Sequence, residues 1–454
     1  MNNIKRRDLI KLLGAISFGI VIPSWSNETF GKPTLNKEKK RKQTLETDIL
    51  VIGGGTAGII AAIQAARAGC KTMIVENGSH LGGTITKGGV NFPGLFHAWG
   101  KQIIKGIGWE LVKKTVALDD GTMPDFSKYP PDRHWHHQIR LNTYLYSLLA
   151  EEKCIESGVE IHYYETPVNI VFQDNKWLVE TVGKGVNNKI TCNQIIDCTG
   201  NGCATSLAGF HLIKESETQP GALIFQLGGY DYRSLDFQKI PKRYRNILRS
   251  GYFINNAESD EPFVPYNQIS VNSANSTTSE SHTNANIKGR TSLLQMLRTL
   301  RSLPGCEKTK ILDMQPETAV RETYRIDGVY KITYSDYISG KVFDDSMSYS
   351  FYPIDLHREQ EGILQEYLEQ DIVATVPLRA LIPKGSKNFV VAGRCVSSDR
   401  LANSALRVQA SCMGMGQSAG AAAALASKYD RPPLEVPIGD LKELIEKHDG
   451  IVPV

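Results

Sequence analysis

Apolar residues along this chain gather in short runs whose spacing alternates between that of strands and that of helices. The first run, Leu12 to Ile22, ends at Pro23 and is shorter than the roughly 20 residues a membrane-spanning helix needs. Thr47 to Ile52 is β-rich and stops at a glycine cluster, as a short buried strand would. Ile59 to Ala68 carries Ala and Ile at helical density and ends at Gly69, before a second strand, Lys71 to Val75. Residues 142–165 read as an Ala/Leu-rich helix, a turn at Gly158 and a strand, Val159 to Tyr164. Strands follow at 167–182 and 189–197, with a hairpin turn at Asn187-Asn188. Near the far end, Asn388 to Arg394 is a strand and turn, and Gly414 to Lys428 is a helix of small residues. Ser270 to Ile287 is rich in Ser, Thr and Asn without periodicity and is expected to form a long surface loop. Strands alternating with helices predict an α/β fold.

The first strand–helix–strand unit contains Gly53-Gly54-Gly55-Thr56-Ala57-Gly58 and closes on Glu76. Each part has a physical task in holding a dinucleotide. Gly53 allows the tight turn, Gly55 lets the backbone approach a pyrophosphate, and Gly58 lets helix and strand pack closely. The helix start at Thr56 and Ala57 offers N–H groups to phosphate charge. Glu76, eighteen positions after Gly58, stands where an acid accepts hydrogen bonds from a ribose diol. A short loop then leads to Gly82-Gly83-Thr84. An acid followed by such a loop resembles the FAD-binding flavoproteins of the glutathione-reductase-like superfamily, so FAD rather than NAD is expected, with Gly83 and Thr84 beside it.

Two distant segments complete the pattern. Asp197-Cys198-Thr199-Gly200-Asn201-Gly202 stands at a strand end and resembles the element with which those flavoproteins close over the FAD phosphates, through Thr199 and Gly200; Asn201 and Cys203 depart from the commoner acids. Gly393-Arg394, Arg407 and the small-residue helix around Gly416 are expected, by the same resemblance, to form a C-terminal flavin segment. Gly416 suits either contact with a flat ring or a tight helix pair. Residues 47–428, with Gln219-Pro220, Val320-Arg321-Glu322-Thr323 and Tyr352-Pro353-Ile354-Asp355-Leu356-His357, resemble the FAD-dependent oxidoreductase family related to fumarate reductase flavoproteins and the flavin module of heterodisulfide-reductase-like proteins. The resemblance implies a Rossmann-type FAD/NAD(P)-binding domain with an inserted α+β substrate domain. The expected boundaries are 47–210 and 376–454 for the FAD domain and 211–375 for the insert. No second G-x-G-x-x-G for a nicotinamide occurs, which leaves the electron acceptor open.

In such an enzyme the flavin does the hydride chemistry, and the protein places the substrate and manages a proton. The densest set of candidate groups is His97, Trp99 and Trp109, followed by Arg133-His134-Trp135-His136-His137-Gln138-Ile139-Arg140. In an extended run His134 and His136 share a face. The cluster reads as substrate recognition, with His136 catalytic, or as a structural polar cluster. No carboxylate or Cys spacing supports a metal site. The fumarate reductase relatives imply two further roles: covalent flavin attachment through a His, with His97 the candidate, and Arg321 as substrate anchor or proton donor. His357 is the remaining candidate acid or base.

Charge adds an address. Ten of the basic residues fall within positions 1–45 against three acids there, so the net +4 of the chain conceals a mildly acidic body. Such a body gives no footprint for nucleic acid. Lys5-Arg6-Arg7-Asp8-Leu9-Ile10-Lys11 before the apolar run resembles a twin-arginine signal. Residues 1–26 are expected to be that signal, 27–46 a polar linker, and the protein to be exported with its cofactor by the twin-arginine machinery. No stable membrane span is expected. The eight cysteines show no C-x-x-C and predict no metal or disulfide framework. Two functions fit: an exported flavoenzyme moving a hydride to or from a small polar substrate, or a flavin-binding electron carrier that docks a redox partner. A concave pocket lined by His97, His136 or His357 favours the first.

Overall fold

A computed structural model describes residues 41–127, 134–255 and 267–454. The expected signal, residues 1–26, and most of the expected linker lie outside them. The first strand, β1 (Arg41–Ile52), is followed by the helix α1 (Thr56–Arg67) and by β2 (Thr72–Glu76). Residues 41–46, expected in the linker, are instead strand: they pair in parallel with Val186–Thr191 and extend β1 along a strand of equal length, Val186–Asp197. The next strands are β3 (Glu160–Tyr163), β4 (Thr166–Gln173), β5 (Lys176–Val182) and β6 (Val186–Asp197). The order across the sheet is β3-β2-β1-β6-β5-β4. The four strands from β3 to β6 in that order run parallel, and β5 and β4 add an antiparallel hairpin edge. Ile49, Leu50, Val51 and Ile52 are all buried, the unbroken apolar run expected where helices cover both faces of a parallel sheet.

The hairpin turn between β5 and β6 lies at Gly183-Lys184-Gly185, and Asn187 and Asn188 are inside β6. The Asn188 side chain is buried and donates to both oxygens of Glu165, so a tertiary partner overrides its turn preference.

The C-terminal part of the chain returns to this sheet. The strand β7 (Phe389–Val391) pairs in parallel with Ile195–Asp197, the last residues of β6. The helix α2 (Gln409–Tyr429) then packs across α1. It starts at Gln409, five residues before the expected Gly414, and its glycines serve packing inside the helix. A Cβ at Gly416 would sit 2.4 Å from the Ala57 carbonyl oxygen, and one at Gly420 would sit 2.4 Å from that of Ala61.

Residues 221–314 hold a separate three-stranded antiparallel sheet, Asn267–Val271, Gly221–Gly228 and Lys310–Met314 in that order. It has its own apolar cluster, including Leu223, Phe225 and Leu293. The expected loop at 270–287 is mostly structured: strand runs to Val271, and a helix spans Ser279–Arg301. Its Ser/Thr-rich start is a capping box in which Thr278 and Ser281 satisfy each other's backbone N–H groups. Its apolar stripe, Ala285, Gly289, Leu293, Met296 and Leu300, begins only where the polar stretch ends, which hid it. All eight cysteines are unpaired, and only Cys203 is not buried. Among the described residues no helix is long and apolar enough to cross a membrane.

Candidate active site

At the C-terminal end of β1 the three glycines do separate jobs. Gly53 has φ +103°, and a Cβ there would lie 2.5 Å from the Cys198 carbonyl oxygen. Gly58 packs so tightly that a Cβ would lie 1.9 Å from the Gly53 carbonyl oxygen. Gly55 alone has room, with nothing closer than 3.9 Å. It faces a cavity of about 740 Å³, within the range of ligand pockets. Gly55 is also the N-cap of α1, and no side chain caps that helix end. The first N–H groups of α1 therefore stand ready for an anion.

Glu76, at the end of β2, is buried on the same cavity. One carboxylate oxygen accepts from Gly54 N at 2.8 Å; the other accepts from Gly78 N and Lys87 Nζ, both at 2.6 Å. Lys87, which the sequence reading did not single out, thus neutralises the acid. Gly83 and Thr84 line the cavity beside it, as do Thr56 and Ala57.

Across the cavity, Asp197 at the end of β6 is fully buried and accepts four hydrogen bonds, two from Thr199 and two from Thr205. They fix the turn that sets Thr199 and Gly200 on the wall. Arg394 Nε donates to Gly200 O at 2.9 Å and Nη1 to Val320 O, tying this turn to the inserted segment. Gly393 and Arg394 both line the cavity.

The same cavity ends on a polar wall. Asp355 and His357 alternate along the strand Ile354–Arg358 and so share its face. His357 Nε2 lies 3.2 Å from Asp355 Oδ2, as does Arg407 Nη2. Arg321 also lines the wall and donates to Pro220 O at 2.6 Å. Burial alone would raise the Asp355 carboxyl, but His357, Arg407 and Arg321 outweigh it and hold it at about 2. Burial lowers His357 below its ordinary value, with Asp355 opposing and the two arginines assisting. An ionised carboxylate only accepts hydrogen bonds, so Nε2 carries the ring proton and Nδ1 keeps the lone pair. His134, Gln138 and Tyr352 complete the wall.

Four predicted site residues do not line the cavity. Gly58 and Gly416 shape it from behind, by helix packing. His97 lies in an aromatic nest, stacked on Phe126 at 3.8 Å and edge-on to Trp109 at 5.5 Å. Burial, and then His137, push its pKa down to about 4. His136 is exposed. The segment His134–His137 is a turn of 3-10 helix, not an extended run, so faces repeat every three residues. His134 and His137 therefore turn inward and His136 outward. Of this cluster, the turn therefore sets His134 and not His136 on the cavity wall.

A parallel sheet with a glycine turn after one strand, an acid closing the next and a cavity running on to a polar wall defines a dinucleotide-binding α/β fold. The family model of FAD dependent oxidoreductases matches residues 48–445, and the chain belongs to that family. It is an enzyme, and its cofactor is FAD. A segment of 101 residues is 35% identical to cinnamate reductase of Clostridium sporogenes, covering 21% of this chain and 15% of that protein. A shorter one, 41 residues at 54% identity, matches mitochondrial dihydrolipoyl dehydrogenase of Caenorhabditis elegans, 9% of this chain and 8% of that protein. The chain thus spans only a small part of these relatives. Among solved structures, a geranylgeranyl bacteriochlorophyll reductase-like protein of Thermoplasma acidophilum is similar over 89% of this chain and 83% of that one, at 13% identity and a TM-score of 0.41.

The residues fit FAD. Gly55 and the uncapped start of α1 would hold the pyrophosphate, and Glu76 the ribose. The open side of Gly55, where the nearest heavy atom to a Cβ is 3.9 Å away, leaves room for the pyrophosphate to approach, and the side chains of Arg407 and Gln409 bring polar groups to the same cavity wall.

Proposed function

We propose that this enzyme transfers a hydride between its flavin and a small polar organic substrate, and that it works outside the cytoplasm after twin-arginine export. One observation carries the catalytic reading: the cavity that opens at the dinucleotide loop also contains Arg321, Asp355, His357 and Arg407. Bound FAD supplies a two-electron centre that accepts or donates hydride. Arg321 and Arg407 bring positive charge to the wall and suit a substrate with a carboxylate or hydroxyl group. Asp355 fixes the His357 tautomer, so that Nδ1 is the atom that takes or gives the proton accompanying the hydride. The side chains of Asp355, His357 and Arg407 are largely buried at this wall, which favours substrate chemistry over an exposed electron carrier. Export rests on Lys5 to Lys11 and the apolar run after it.

The test begins with the visible spectrum of the purified protein, before and after acid precipitation. A flavin spectrum that leaves with the supernatant is expected, because His97 lies off the cavity. A colourless protein that refuses added FAD would overturn the reading. With a flavin in place, His357→Asn is expected to keep the spectrum and lower turnover by about 10²–10⁴-fold; undiminished turnover would remove His357 from the chemistry.

A further inference from the structure

We propose that Tyr352, His134 and Tyr367 form a relay that carries a proton between the cavity and solvent. The inference rests on the reading of this cavity as the place of hydride transfer and adds the route by which the accompanying proton enters and leaves.

The groups make one continuous chain. Gln138 Nε2 lies 3.1 Å from the Tyr352 hydroxyl, and that hydroxyl lies 3.3 Å from His134 Nε2. His134 Nδ1 lies 3.0 Å from the Tyr367 hydroxyl, which lies 3.2 Å from Gln365 Oε1. Gln138, Tyr352 and His134 are on the cavity wall. Tyr367 is half-buried and Gln365 is exposed, so the chain spans from the cavity to the surface. His134 is itself buried.

The hydrogen-bond roles are mutually consistent. Tyr367 donates to the Gln365 carbonyl oxygen, so its own oxygen accepts from His134 Nδ1–H. A neutral imidazole has one N–H, so His134 Nε2 carries the lone pair and accepts from Tyr352. The Tyr352 oxygen accepts from Gln138. Every donor points outward. Burial lowers the His134 pKa, with Asp355 opposing, which keeps the ring neutral, with one donor and one acceptor, as a relay requires.

A proton delivered to the Tyr352 oxygen passes the hydroxyl's own proton to His134 Nε2. His134 gives its Nδ1 proton to the Tyr367 oxygen, and Tyr367 releases its proton to water beside Gln365. One proton has entered, one has left, and no electrons have moved. The chain then points inward, set to bring a proton in during the opposite half-reaction. Its polarity thus alternates in step with the two halves of a redox cycle.

Two measurements test this. The first uses pre-reduced holoenzyme oxidised by ferricyanide, which takes electrons and no proton, so protons must leave the cavity. In stopped flow, an indicator dye follows the proton and flavin absorbance follows the electrons. In the native protein both signals are expected together. In Tyr352→Phe and Tyr367→Phe the proton should lag by roughly tenfold or more, and added imidazole should restore the rate in Tyr367→Phe. A structural role would not give buffer rescue. Tyr334→Phe, off the chain and bonded to Glu366, is the control. Coincident signals in both relay variants would overturn the relay. The second measurement is ¹⁵N NMR of the His134 ring, assigned with His134→Gln. The Nδ1–H tautomer is expected, and an Nε2–H tautomer would overturn the relay. The NMR needs no flavin, so a protein that fails to bind FAD defeats the function proposed above while the relay is still judged on its own geometry.

Discussion

Single residues in this protein separate cofactor binding from folding. Gly55 and Gly58 belong to one motif, yet a Cβ at the first meets nothing closer than 3.9 Å and at the second strikes the backbone of Gly53. Gly55→Asp is expected to fold normally and lose its flavin, because its carboxylate would face the pyrophosphate; a yellow mutant in normal yield would refute the site. Gly58→Ala is expected to cost about 1–3 kcal/mol through overpacking, measured by urea unfolding. His97 makes a pH prediction. Its native pKa of about 4 lies below the ordinary 6.5, so in that interval the unfolded chain takes up a proton that the native ring refuses. Stability therefore falls as pH drops from about 6.5 towards 4. His97→Leu should flatten this slope relative to the native protein, and an unchanged slope would assign it to other groups. At this scale the sequence was legible where neighbours in the chain are neighbours in space. The glycine loop and Glu76 sit within one strand–helix–strand unit. The polar wall draws on residues 134–138, 321, 352–357 and 407–409, and no local spacing joins them. Lys87 gave no signal at all, since its partner Glu76 is reached only through the loop between them.

The pairing of α1 with α2 is the most demanding contact at the level of elements. Gly416 and Gly420 set the distance between the helix axes, with Ala57 and Ala61 directly opposite. A larger side chain at either position must push α2 away from the cavity that Gln409 and Cys412 line. Gly416→Val should lower both stability, by about 1–3 kcal/mol, and FAD affinity, whereas a change at an exposed position away from this contact, such as Lys113→Gln, should alter neither. Titration with FAD and urea unfolding of the same samples check both. Elements were legible where apolar periodicity was strong, as in β1, α1 and β2. They were missed where polar residues were put to structural use: Thr278 and Ser281 cap a helix that composition disguised as loop, and Asn188 is held inside a strand by Glu165.

For the whole molecule, the export proposal makes its own prediction. Replacing Arg6 and Arg7 by Lys should leave a folded, FAD-loaded protein in the cytoplasmic fraction, and undisturbed export would reject the twin-arginine reading. The general plan, a FAD fold made from both ends of the chain, could be read because each end carries a local motif. The extent of β1 could not, because five of the six residues from Arg41 to Glu46 are polar and the segment becomes strand through the partner that Val186–Thr191 provides.

That long strand β6 has a consequence for how the protein is made. Its one edge serves two partners: β5, which immediately precedes it, and β7, which the ribosome delivers nearly two hundred residues later. Until Asn388 emerges, the Ile195 amide and the indole N–H of Trp177 both wait for its carbonyl oxygen, which they meet at 3.1 and 2.8 Å. A nascent chain therefore owns the entire glycine loop long before it owns the completed sheet behind it. Completion of the sheet is a late, long-range event of the slow kind, and Trp177 fluorescence is a built-in clock for it. A chain cut before Phe389 would keep the signature of a flavoprotein in its sequence and have no finished seat for the flavin.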